Sequence, residues 1–418
     1  MTAGTGRPRL PTPAGERRSL LAISGPLIAA YLVEMAMLII DMIIVGRLGS
    51  TELAAVGLAG DWFYVLLLIG MGTVSMVAVL VAHARGTGDA AATAATVEQG
   101  LRVATVFSLP VMALTWYLGP MLALAGQDPG VVAAADDYAR ALTAAVPAIL
   151  WFTVLRNYVT AIERPMVIFR LSIAALVLNA GLNYVLVFGH LGLPALGVAG
   201  AGAGTAIVSW LMLAALWLHV RRHEPIPGVR WRHAFAGGDG ALFRRLVLLG
   251  LPVAGAQLLS GGMFTVAAVL VGLLGAATLA AQQIVYTVVY ISLSVAAGLG
   301  DAVRVRVAFG MGRDSPPAAR QAAAITFRMA LAVLGVAGVV LWLLPEAIVA
   351  LFLRAGDPDA ATVLEAACRS SQPTPCAACT TPVRRCFSPY SATGCWAWAP
   401  AQPWPSVSTW VHLVSGGG

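Results

Sequence analysis

Lysine is absent from these 418 residues: all 26 basic side chains are Arg, set against 19 Asp and Glu. Charged residues make up 11% of the chain where a soluble domain has about 25%, which excludes an ordinary soluble globular protein. Histidine is scarce as well, and the six present fall in loops, in the C-terminal tail or near helix ends. That placement excludes a membrane-embedded enzyme built on a His/Asp or Ser/His constellation at one depth. The first 367 residues contain no Cys, and no acidic residue follows Glu365. The net charge of +7 is spread one or two Arg per loop rather than gathered on a face, so it does not indicate a nucleic-acid partner.

What is present is apolar: 59% of the residues are hydrophobic. Runs long enough to cross about 30 Å of hydrocarbon cover 20–46, 53–82, 100–125, 139–160, 166–189, 196–220, 246–272, 279–308 and 322–353. These predict an all-α polytopic membrane protein with nine recognisable helices. The run after the polar residues 1–18 is too long for a signal-peptide core and reads as a retained helix. Arg concentrates in alternate connections: the N-terminal tail, the 83–89 turn, the stretch with Arg156, Arg164 and Arg170, the 221–245 linker and the 304–320 turn. The positive-inside rule then predicts a multi-pass protein of the plasma (inner) membrane with a cytoplasmic N-terminus.

Shifted by 226 positions, the chain meets itself. Pro26 falls on Pro252, Gly49 on Gly275, Tyr64 on Tyr290, Gly72 on Gly298, Gly86 on Gly312 and Arg102 on Arg328. Duplicated halves are a common build of secondary transporters, with the binding site near the bilayer midplane. The expected organisation is a cytoplasmic tail over 1–18, a six-helix lobe over 19–220, a cytoplasmic linker over 221–245 and an incomplete second lobe over 246–368. The repeat requires three more helices after Arg369, twelve in all. Residues 369–418 are instead rich in Pro, Trp and Cys, with all five cysteines at Cys368, Cys376, Cys379, Cys386 and Cys395. Three readings are open for this tail: a zinc module on Cys376-x-x-Cys379, an irregular polar tail, or the product of a reading-frame shift near codon 368 of a GC-rich gene. The third would leave a truncated fragment without transport activity.

Acidic residues inside a span are costly and therefore functional candidates. Glu34 and Asp41 lie seven residues apart in the first span, on one helix face and about 10 Å apart along the axis. Asn179 and Asn183, four apart in the fifth span, share a face at the depth of Asp41. Converging, a carboxylate and two carboxamides suit either a desolvated Asp that carries a proton or an oxygen cage for a small hard cation such as sodium. Asp61 reads as interfacial, and Asp301 as a partner of Arg304 or Arg306. In the second half Glu34 falls on Ser260 and Asp41 on Ala267, so cation coupling is assigned to the first lobe. Gln257, Ser260, Gln282, Gln283, Tyr286 and Tyr290 are left as a milder substrate-cavity lining. Pro26 removes a backbone hydrogen bond early in the first helix and permits a bend.

The order and spacing of several segments resemble the multidrug and toxic compound extrusion (MATE) family of the MOP flippase superfamily. They are Pro26, Asp41-Met-Ile-Ile-Val-Gly-Arg-Leu-Gly49, Ala84-Arg-Gly-Thr-Gly-Asp89, Asn179-Ala-Gly-Leu-Asn183-Tyr184, Gly197 to Thr205 and Leu279-Ala-Ala-Gln-Gln-Ile284. The resemblance covers about residues 19–366. It implies a two-lobed, twelve-helix bundle, monomeric and without a cofactor, that exports cationic or amphiphilic drugs in exchange for protons or sodium ions by alternating access. By the same resemblance Asp41, Asn179 and Asn183 form the cation site, Thr205 lies nearby, and Pro26 is a hinge. Ser260 stands where one branch has a glutamate, and Asn183 where another has an aspartate. A lipid-linked precursor flippase of the same superfamily would be expected to line its cavity with cationic side chains, which the predicted spans avoid.

Overall fold

The computed structural model describes residues 13–190, 192, 194–229, 239–272 and 276–343; residues 13, 14, 50, 262–272, 276–289, 337 and 340–343 are described by their backbone alone. The expected Cys-rich tail, residues 230–238 of the linker and the end of the ninth span lie outside the described residues. Among the described residues every regular element is a helix: α1 (Pro13–Gly46), α2 (Ser50–Val74), α3 (Met76–Thr87), α4 (Ala90–Trp116), α5 (Leu118–Leu124), α6 (Pro129–Thr143), α7 (Ala145–Ala161), α8 (Met166–Phe188), α9 (Gly197–His223), α10 (Gly240–Gly272), α11 (Ala276–Gly312) and α12 (Pro316–Leu343). Six helical stretches are long and apolar enough to span a bilayer. The count rises to eight when the bent pairs α4–α5 (50°) and α6–α7 (47°) each count as one.

The helices outrun the apolar runs at several ends, because capping chemistry and not hydrophobicity sets where a helix starts. Asp89 caps α4 by accepting from the Ala92 N–H at 2.8 Å, ten residues before the apolar stretch begins. Asp128 does the same for α6, accepting from the Gly130 N–H at 2.8 Å, with Pro129 in the first turn, where its missing N–H costs nothing. Helix α1 already begins at Pro13, inside the stretch expected to be a tail, and it continues unbroken through Pro26. Gly88 (φ 79°) and Gly189 (φ 72°) end α3 and α8 in the left-handed conformation.

Helix α7 forms the centre of the first half, with Val146, Leu150, Val154, Leu155 and Val159 buried on successive turns. Around it pack α4 and α9, and α1 lies along α8. The two halves meet where α2 runs against α10 and α11 against α1 and α3. Small residues make this seam. A methyl group at Gly72 would come within 2.6 Å of the Ala254 Cα, and one at Gly298 within 2.5 Å of Ile28. Shifted by 226, each of these contacts becomes the other, so the seam has an internal two-fold correspondence. Gly86 and Gly312, themselves repeat mates, back onto each other.

Polar contacts close the same end of the bundle. Arg306 of α11 holds both carboxylate oxygens of Glu16 (2.9 and 2.6 Å) and one of Glu163 (2.9 Å), and the Tyr31 hydroxyl donates to Asp301 at 2.6 Å. Among the described residues the halves touch backbone to backbone at Gly72, Gly86, Gly298 and Gly312.

Candidate functional site

Asp41 lies near the far end of α1, half-buried, where α1 packs along α8. From α8, Asn179 and Asn183 are both fully buried on one face, as four-residue spacing dictates. The Asn183 Nδ2 donates to Asp41 Oδ1 at 2.6 Å and reaches Asn179 Oδ1 at 3.4 Å. A short bond to a carboxylate is the charge-assisted kind, stronger than one between neutral groups. Two polar atoms of this cluster have no partner within the protein, Asn183 Oδ1 and Asn179 Nδ2. Buried amides are ordinarily satisfied, and an open acceptor beside a carboxylate provides a place for a bound proton or cation.

The neighbouring helix seals the cluster through a glycine. Any Cβ at Gly204 of α9 would collide with Asn183 Oδ1, so only Gly lets α9 close over the amides. Tyr138 of α6, nearly fully buried, lies within electrostatic reach of Asp41. Thr205 follows Gly204 in α9, and its hydroxyl donates to the Ala201 carbonyl at 3.1 Å, which leaves its lone pairs uncommitted by that bond. Asp41, Asn179 and Asn183 thus come together within one half of the molecule.

Glu34 does not join them. Its Oε1 accepts from Arg156 Nη1 at 3.1 Å, and the guanidinium lies 4.6 Å from the centroid of the Tyr31 ring. Arg156 itself belongs inside α7, buried, not in the connection to which its charge suggested it belonged. The expectation that Arg avoids the spans is corrected at this position, and the reason is the acid opposite it. Asp301 pairs with Arg304, and Asp61 is exposed on α2.

In the second half, Ser260 donates to the Ala256 carbonyl at 2.9 Å, Gln257 has a buried Oε1 without a partner, and Tyr290 is exposed. The side chains of Gln282, Gln283 and Tyr286 lie outside the described residues. Among the described residues no group of three His, Cys, Asp or Glu stands close enough to hold a metal ion. Gly204, Arg156 and Tyr138 were not singled out as site residues. For Arg156 the signal was its place inside the 139–160 run, and for Gly204 the small-residue run from Gly197.

A family profile described as MatE matches residues 26–185 and 252–374, two stretches whose starts are themselves 226 apart. The chain belongs to the MatE family. A probable multidrug resistance protein NorM of Pseudomonas putida is 34% identical over 355 residues, 85% of this chain and 77% of the relative. Its counterpart from Pseudomonas aeruginosa is 36% identical over 344 residues, covering 82% and 70%. The fold is similar to that of the eukaryotic MATE transporter AtDTX14, with a TM-score of 0.72 at 21% identity over 86% of this chain and 82% of that one. It is equally similar to an outward-facing multidrug resistance MATE family transporter of the MOP superfamily, with a TM-score of 0.71 at 19% identity over 84% and 78%. This MatE chain is a multi-pass membrane transporter and not an enzyme.

Proposed function

We propose that this MatE protein is a secondary active multidrug exporter that exchanges cationic or amphiphilic small molecules for protons or sodium ions by alternating access. The observation that carries this reading is the 2.6 Å bond from Asn183 to Asp41 inside a buried amide cluster with one acceptor left open. Deprotonated, Asp41 accepts from the Asn183 N–H. Once protonated it must donate, and a half-turn of the same amide presents the Oδ1 that now lacks a partner. For a metal cation the same half-turn supplies a ligand oxygen beside those of Asp41 and Asn179. The cluster can therefore satisfy the loaded and unloaded states with one side-chain rotation, which is what a coupling site requires.

The seam between the halves supports the rest of the reading: its close contacts at Gly72, Gly298 and Arg306 are ones that alternating access would have to make and break. Arg85, Arg164, Arg221 and Arg313 lie at the ends of helices or in the connections just after them, and the positive-inside rule makes those ends cytoplasmic in a plasma membrane. The names of the NorM relatives support drug export as the task. The pairing of Arg156 with Glu34 disfavours a flippase for anionic lipid-linked precursors, because the buried cation is already neutralised. The test is efflux of ethidium from cells that lack their own exporters. Asp41→Asn is expected to abolish ion-driven efflux while the protein remains in the membrane, and unimpaired efflux in that variant would refute the coupling role.

A further inference from the structure

Two histidines at the end of α9 take no part in the Asp41 cluster. His219 and His223 are four residues apart and share one face of the last turn; their rings stack with centroids 4.7 Å apart and an interplanar angle of 17°. His219 is half-buried and His223 exposed. Two imidazoles at this spacing on one helical face are a chelating pair, each offering a ring nitrogen to the same ion, as paired helical histidines do in zinc sites. Nitrogens bound cis at about 2.0–2.1 Å from a metal stand about 3 Å apart, and stacked rings reach that separation by tilting their nitrogen edges together.

The turn that bears the pair is held in place. Leu216 and Val220 are fully buried beneath it, and the Tyr158 hydroxyl donates to the Glu224 carbonyl at 3.1 Å, which fixes the chain just past the second histidine. A preformed pair loses little freedom on binding, and ligands linked at a fixed distance act at high effective concentration. The surrounding charges are mixed. The helix ends here, and the carbonyls of its last turn favour a cation. Arg221 is two residues from His219 and so on the opposite face, its guanidinium 5.4 Å from the Trp217 ring centroid. Glu224 and Arg170 act on His219 with opposite signs, and Arg170 and Arg222 are exposed, where solvent and salt screen them. The Glu224 carboxylate, 3.7 Å from Arg164, adds negative charge without completing a three-ligand group among the described residues.

We propose that His219 and His223 form a two-histidine site for a divalent transition metal ion of the zinc, nickel and copper(II) class, with water in the remaining positions. Imidazole suits these ions, whereas magnesium and calcium require oxygen ligands. By joining residues one turn apart, the ion ties down the end of α9, from which the chain leads on to α10. The site depends neither on the Asp41 cluster nor on the export reading.

The test uses the full chain in detergent at pH 7.5, purified without a histidine tag and with its five cysteines alkylated, so that neither a tag nor a thiol binds the probe. The probe is copper(II) iminodiacetate, whose open cis positions select paired imidazoles, followed by electron paramagnetic resonance. His219→Gln and His223→Gln are each expected to weaken binding at least about tenfold, because each leaves a single ligand. His190→Gln, at a histidine stacked on Tyr184, is expected to change nothing. The double variant His223→Gln/Arg221→His keeps the number of histidines but moves one to the opposite face, and is expected not to recover binding. Zinc ions alone are expected to slow amide hydrogen exchange across 217–223 in the unaltered chain and in neither single variant. Undiminished copper affinity in either single variant, recovery in the double variant, no bound copper at millimolar probe, or exchange that zinc leaves unchanged overturns the proposal.

Discussion

Gly204 is the residue on which the geometry of the Asp41–Asn183 cluster turns. A single methyl group there would strike the Asn183 amide oxygen, so the amide that bonds Asp41 has to shift. Displacing a reacting group by about an ångström costs on the order of a hundredfold in rate in well-ordered sites, so Gly204→Ala is expected to reduce ethidium efflux at least tenfold. Binding of ethidium to the same purified variant is expected to stay unchanged. Loss of both would show that the substitution deforms the whole half instead of the amide cluster. The two asparagines were legible in the sequence because a spacing of four puts side chains on one helical face, and an acid at matching depth in the first span pointed to convergence. The glycine was not, because which helix backs onto an amide is a matter of tertiary approach that no spacing within α8 or α9 encodes.

At the scale of the element, α1 and α7 are joined by an ion pair between residues 122 positions apart, Glu34 and Arg156. Counting Arg by loops placed Arg156 outside the membrane, since that rule treats each basic residue as solvated. A half-buried acid on another helix overturns it locally. Removing one member of such a pair leaves a buried charge without compensation, whereas removing both exchanges it for apolar contact. Glu34→Gln is accordingly expected to lower the unfolding temperature of the detergent-purified protein, and the double variant Glu34→Gln/Arg156→Met to recover most of the loss. A double variant less stable than the single one would mean that the pair contributes net stabilisation. Helix ends were the least legible feature for a related reason. The apolar runs mark where hydrocarbon begins, but Asp89 and Asp128 start α4 and α6 about ten residues earlier, in polar sequence.

For the molecule as a whole, the internal repeat makes a paired prediction. Gly72 faces Ala254 and Gly298 faces Ile28, and the two contacts are related by the same shift that relates the halves. A leucine forced into either seam is overpacked, at a cost of about 1–3 kcal/mol. Gly72→Leu and Gly298→Leu are each expected to lower the unfolding temperature measurably, and to similar extents. A large effect from one and none from the other would show that the seam is not two-fold in its energetics. The duplication could be read from the sequence alone, because identical residues recur at one offset. Which residues face each other across the seam could not, since they contact partners more than 140 positions away.

Two contacts that exchange identities under one shift are what a symmetric pair of separate chains would have made: residue i of one copy on residue j of the other, and j on i. Two half-length copies joined in one chain would keep the same correspondence. Fusion let each copy mutate alone. One side has Ile28 where the other has Ala254, and only one retains or has gained the acids at 34 and 41. With both arms in one chain, a change in one no longer has to suit the other.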